Sequence, residues 1–215
     1  NGVWISGFFG SGKSHLLKML AFLLENRSVD GKPVLDIFKE KIKHNEILRA
    51  DLEKACSIPS ESILFNIDQK ADVISKSQAD ALLSVFVKVF DEHCGYYGKQ
   101  PFVAQFEREL DLEGKLPEFK TRFLEYSGKD WDFGRVRVNR FSNDIDKAYV
   151  TVTGQNISGI IEKFRADYRL SIEDFAEQVS SYISSRGKGF RLNFFVDEAG
   201  QYVADNQKLM TNLQT

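Results

Sequence analysis

Gly7-Phe8-Phe9-Gly10-Ser11-Gly12-Lys13-Ser14 decides how the rest of the chain is read. The stretch fits G-x-x-x-x-G-K-[ST], with Gly7 and Gly12 at the glycine positions and Lys13-Ser14 at the end. The short apolar run Val3-Trp4-Ile5 leads in as a buried strand does, so residues 2–6 are predicted as the first strand. Leu16, Leu17, Leu20, Leu23 and Leu24 recur at helical spacing behind it, predicting a helix over 13–26. A loop of this kind points a concave ring of backbone N–H groups at a polyphosphate. Gly7, Gly10 and Gly12 allow positive φ and a close approach with no Cβ in the way. The following helix adds its unpaired N–H groups and the positive end of its dipole. Lys13 would reach the β- and γ-phosphates, and the Ser14 hydroxyl would ligate Mg2+. The stretch therefore reads as a nucleotide site.

Working outward, the 215 residues are 42% hydrophobic and 28% charged, the balance of an ordinary globular protein. A net charge of −2 argues against nucleic-acid binding through bulk positive charge but leaves a local patch open. Cys56 and Cys94 are too few for a disulfide scaffold or a zinc site and suit a reducing, cytoplasmic compartment. No apolar run has the length of a membrane span, so no membrane partner is expected. The chain starts at Asn1 rather than Met and stops at Thr215 inside a helical pattern, 207–214, and reads as a piece of a longer protein.

Between these ends, Asp30-Gly31 and Pro33 mark a turn, and Asn45 caps a predicted helix to Ala55. Ser62 to Asp68 is a predicted strand, with Asp68-Gln69 at its functional end. A long helix capped by Ser75 or Ser77 runs to His93. Further helices are predicted over 101–112, 117–126, 157–164 and 171–184, the last capped by Ser171. Arg135-Val136-Arg137-Val138-Asn139-Arg140 alternates as a short strand or extended arm would. It is either a phosphate- or DNA-contacting edge or a solvated edge strand kept apart by charge, and the second reading is favoured.

Phe190 to Val196 is a near-continuous apolar run ending in Asp197-Glu198, the Walker B pattern of a buried parallel strand. Asp197 would hold Mg2+, commonly through water, and Glu198 would polarise an attacking water. Together the motifs predict an α/β three-layer P-loop fold with a parallel sheet and a helical insertion. The core would comprise 1–94 and 190–215, and the insertion 95–189.

Trp4 to His15, with Phe65-Asn66-Ile67-Asp68-Gln69-Lys70-Ala71, Phe195 to Gln201 and Leu209 to Thr215, resembles the BrxC/PglY family, the large P-loop ATPases of bacterial phage-exclusion (BREX) systems. The resemblance implies an AAA+-like ATPase portion using ATP and Mg2+. It implies a nucleotide-binding stretch Gly7, Phe8, Phe9, Gly10, Ser11, Gly12, Lys13, Ser14 and His15, with Lys13 and Glu198 as the catalytic pair. It also implies Asn66 as a switch residue coupling Glu198 to ligand state, and other BREX components as partners. A homo-oligomer and DNA contact through the complex stay open. The expected output is conformational work in antiviral defence. A nucleotide-gated scaffold that binds ATP with little turnover is the main rival, and a small-molecule phosphotransferase the next.

Overall fold

Nothing between Gly12 and Asn26 breaks a helix, and α1 (Lys13–Leu24) fills that span. It ends where Asn26 turns left-handed, at φ 46°. The computed structural model describes residues 2–8, 10–67, 78–169 and 171–200. Phe9, the Asp68-Gln69 strand end, the Ser75 or Ser77 cap and the helix predicted over 207–214 lie outside the described residues. The Asp30-Gly31 turn closes a small antiparallel hairpin, β1 (Ser28–Val29) with β2 (Lys32–Pro33). Both turn residues have positive φ, 51° and 79°, the backbone that Asp-Gly adopts in a type I′ hairpin.

Pro33 begins a helix as well as ending the turn. It stands at the N-cap of α2 (Val34–Lys41), a helix not expected from the sequence pattern. Asp36 in its first turn and Lys39 and Lys41 in its last complement the helix dipole. In α3 (Glu46–Cys56) the Asn45 side chain accepts the Leu48 N–H at 3.0 Å, the expected cap. β3 (Ser60–Asn66) follows, with Ile63 and Phe65 buried on one face and Leu64 half-exposed on the other. The next helix is α4 (Gln78–His93).

The chain divides into two compact units, one of Asn1–Val85 with Ser171–Thr215, the other of Phe86–Leu170. The second unit is helical: α5 (Pro101–Leu112), α6 (Leu116–Ser127), α7 (Trp131–Arg135), α8 (Ser142–Thr153) and α9 (Ile160–Asp167). Its core is aromatic. The Trp131 indole meets Phe119 and Phe123 edge-on at 5.0 and 5.1 Å, and Phe106 meets Phe119 at 5.1 Å. Gly134 is buried, and the Phe123 ring occupies the space that a Cβ there would need. The α9 N-terminus begins at a left-handed Gly159 with no cap of its own. Asp146 on α8 supplies one, accepting the Gly159 and Ile160 N–H groups at 2.7 and 3.0 Å.

Two buried carboxylates sit in this core. Glu107 accepts from the Tyr97 N–H and the Trp131 indole N–H, each at 2.6 Å, and from Arg135 at 3.3 Å. Asp91 pairs with Arg108. Burial raises both carboxyls, Asp91 to about 6, despite the guanidinium beside each.

The short strand or extended arm expected over 135–140 is neither. Arg135 ends α7, and 136–140 form tight turns, with Arg137 N–H to Gly134 O at 2.8 Å and Arg140 N–H to Arg137 O at 2.9 Å. Val138 is 3% exposed and Val136 45%, so the two valines do not share a face as a strand would require.

Returning to the first unit, α10 (Ile172–Ser185) is capped by Ser171, which accepts the Asp174 N–H at 3.0 Å. The division places this helix with the first unit, whereas the sequence pattern puts it in the insertion. β4 (Arg191–Asp197) pairs parallel with β3, Ser60 opposite Arg191 through to Asn66 opposite Asp197. Among the described residues these are the only strands of that sheet. The strand predicted over 2–6 is absent. Val3 and Trp4 are 89% and 59% exposed, and no described strand lies alongside to take up their backbone groups.

Candidate functional site

Gly10 and Gly12 have φ of 75° and 86°, so the loop takes the two left-handed turns that its glycines permit. A Cβ at Gly7 would meet Ser11 Oγ at 2.7 Å, while the Ser11 N–H closes the loop onto Phe8 O at 3.1 Å. The loop is therefore a backbone cradle into which side chains do not fit at Gly7. Gly12 is the α1 N-cap, and the first helical bond runs from Leu16 N–H to Gly12 O at 2.9 Å. The N–H groups of Lys13, Ser14 and His15 come before that bond. Among the described residues no side chain caps them, and the first turn carries no acid. The end of α1 thus presents uncompensated positive character.

Lys13 Nζ lies across the loop, donating to Gly7 O and Phe8 O, each at 2.9 Å. An ammonium has three N–H groups, so one remains for an incoming oxygen. Ser14 is half-buried in the first turn and His15 exposed beside it.

The direction of α1 links this loop to the paired strands. Its C-terminal end meets the start of β3: Ser60 Oγ donates to Leu24 O at 2.8 Å, and the Ser62 N–H to Glu25 Oε1 at 2.5 Å. The helix α1 packs on both β3 and β4. Twelve helical residues span about 18 Å and seven strand residues about 23 Å. The α1 N-terminus accordingly lies toward the C-terminal ends of the strands, the ends that carry Asn66 and Asp197. The Ser60 side chain belongs to one face of the strand pair. Glu61 and Phe194, on the opposite face, meet α10 through the Tyr182 hydroxyl at 2.5 Å and the Phe175 ring at 6.4 Å.

Register brings Asn66 directly opposite Asp197. Glu198 then leaves the strand in a left-handed conformation, φ 60°, with its N–H on Asp197 Oδ1 at 3.0 Å. That conformation is uncommon for a non-glycine residue and turns Glu198 out of the ladder, where it is exposed. The acidic pair at a strand end is legible in the sequence. The Ser11 hydroxyl beneath Gly7 and the carbonyls that hold Lys13 are not, since only the folded loop brings them together. Among the described residues no group of His, Cys, Asp and Glu is arranged to hold a metal by itself. No helix among the described residues is long and apolar enough to cross a membrane.

No protein-family model matches the chain, and no solved structure matches it significantly.

Proposed function

We propose that the chain is a nucleotide-hydrolysing P-loop domain of α/β three-layer type, its helical unit an insertion. More particularly, we read it as the ATPase portion of a BREX phage-defence protein, doing conformational work on a partner complex. The observation that carries the first step is the loop-to-helix geometry. Left-handed glycines, an uncapped helix N-terminus and the Lys13 ammonium all belong to one short loop and the first turn that follows it. The second step rests on the sequence resemblance alone.

In this reading the α-, β- and γ-phosphates lie against the N–H groups from Gly10 to His15. Lys13 leaves the Gly7 and Phe8 carbonyls to take the β- and γ-oxygens. Mg2+, when bound, supplies charge neutralisation on those oxygens, and Ser14 and Asp197 are the groups that would hold it. Glu198 polarises water for in-line attack on the γ-phosphorus; the bond to the β-γ bridging oxygen breaks, and ADP leaves with inorganic phosphate. The switch role goes to Asn66, supported by its place opposite Asp197 in the strand register.

Steady-state ATP turnover of the chain, compared with Glu198→Gln, tests this. The expected result is a loss of about 100-fold or more in turnover with ATP binding retained, the usual weight of a general base. Equal slow turnover by both proteins, with ATP bound, overturns hydrolysis and leaves the nucleotide-gated scaffold.

A further inference from the structure

The helical unit holds a second site that the nucleotide chemistry does not use. Val136 to Arg140, Gln100, Phe102 and Arg165 line an open cavity of about 480 Å³. Three arginines face it. Arg137 lies over the Phe133 ring at 4.1 Å and donates to Phe133 O at 3.3 Å. Arg165 lies over Phe102 at 4.6 Å and donates to Asn139 Oδ1 at 2.7 Å. Arg140 lies near the Phe141 ring at 5.7 Å.

Three other arginines of the unit are neutralised: Arg108 by Asp91, Arg122 by Glu118 and Glu125, Arg135 by Glu107 and Asp132, while Arg169, away from the cavity lining, folds onto the Ala166 and Tyr168 carbonyls. Arg137, Arg140 and Arg165 have no carboxylate partner among the described residues, and no acid lines the cavity. Their partners are rings, a carbonyl and an amide. A guanidinium stacked on a ring is held in place through its face while its N–H edge remains free to fork onto an anion. The unit as a whole carries as many acidic as basic residues, so this positive charge is local rather than bulk.

We infer that this cavity binds the phosphodiester backbone of a nucleic acid, without reading sequence. Several fixed guanidiniums along one open edge suit a polyanion whose charges recur, and backbone contacts need little else. An acidic protein is the poorer fit. Protein interfaces rest on buried apolar anchors, and here Phe102 lies under Arg165 and the exposed apolar groups are only Val136, on the cavity wall, and Phe133, which carries Arg137 over its ring.

The test is fluorescence anisotropy of the 215-residue chain with labelled 20-mers, duplex and single-stranded, in 50 to 200 mM salt without nucleotide. Three neutralised phosphates predict an affinity falling about 40-fold on duplex across that range. The variant R137Q/R140Q/R165Q should lose at least tenfold in affinity and most of the salt dependence. R137K/R140K/R165K should retain the salt dependence, and R122Q, a paired arginine, should bind as the parent does. Trp131 fluorescence checks that the variants stay folded. Binding of either nucleic acid supports the inference, and the tighter one identifies the form. It is overturned if the triple glutamine variant binds like the parent, if binding ignores salt, or if polyglutamate is captured and both nucleic acids are not.

Discussion

A single methyl group at Gly7 is a sharp probe of the loop, because it would stand 2.7 Å from the Ser11 hydroxyl. Gly7→Ala must push Ser11 aside, and we expect ATP affinity, read by calorimetric titration, to fall at least tenfold while the melting temperature hardly moves. At Gly12 the obstacle is conformational: φ is 86° and the space is open. Gly12→Ala should cost about 1–2 kcal/mol from left-handed strain alone, seen as a lower melting temperature without ligand. Lys13→Ala should abolish detectable ATP binding; unchanged affinity in the same titration would sink the nucleotide reading. These residues were legible in the sequence because their demand is intrinsic: a positive φ or a lysine at a fixed offset is written in the residue type. The Asn66–Asp197 pairing was not legible, since it depends on which strand β4 chooses as its neighbour.

Among the elements, those announced by a local signal were readable, and those completed by a distant group were not. Asn45 and Ser171 declare α3 and α10 by capping them, within a few residues of where the sequence put their ends. α9 starts at Ile160 rather than 157 because its cap comes from Asp146, on another helix. The alternation at 135–140 misled for a related reason: Gly134, pressed against Phe123, fixes α7, and the chain must turn immediately after it. The same contact gives a test. Gly134→Ala drives a Cβ into the Phe123 ring, and the overpacking should destabilise the protein by about 1–3 kcal/mol in urea unfolding. A neutral result would mean that α7 can move away without loss.

For the whole molecule, the buried carboxylates set a pH dependence. Asp91 has its folded pKa raised to about 6 from an ordinary 3.8, so the folded state holds a proton that the unfolded chain has released. Stability from this group is complete below the unfolded value and is lost as pH rises toward about 6, by about 3 kcal/mol at most. Glu107 shifts in the same direction. Unfolding midpoints between pH 4 and 7 should therefore fall less steeply for Asp91→Asn than for the parent, and parallel profiles would refute the assignment. The pairing of β3 with β4 has a consequence in time. During translation, residues 60–66 leave the ribosome long before their partners at 191–197, and the intervening helical unit carries a core made from its own residues. That unit can acquire its core while the first waits, incomplete, for the returning strand. Pulse-labelled hydrogen exchange during refolding should find the Phe106 and Ile145 amides protected before those of Ile63 and Phe65, so that, of the two units, the one with the glycine loop is completed second.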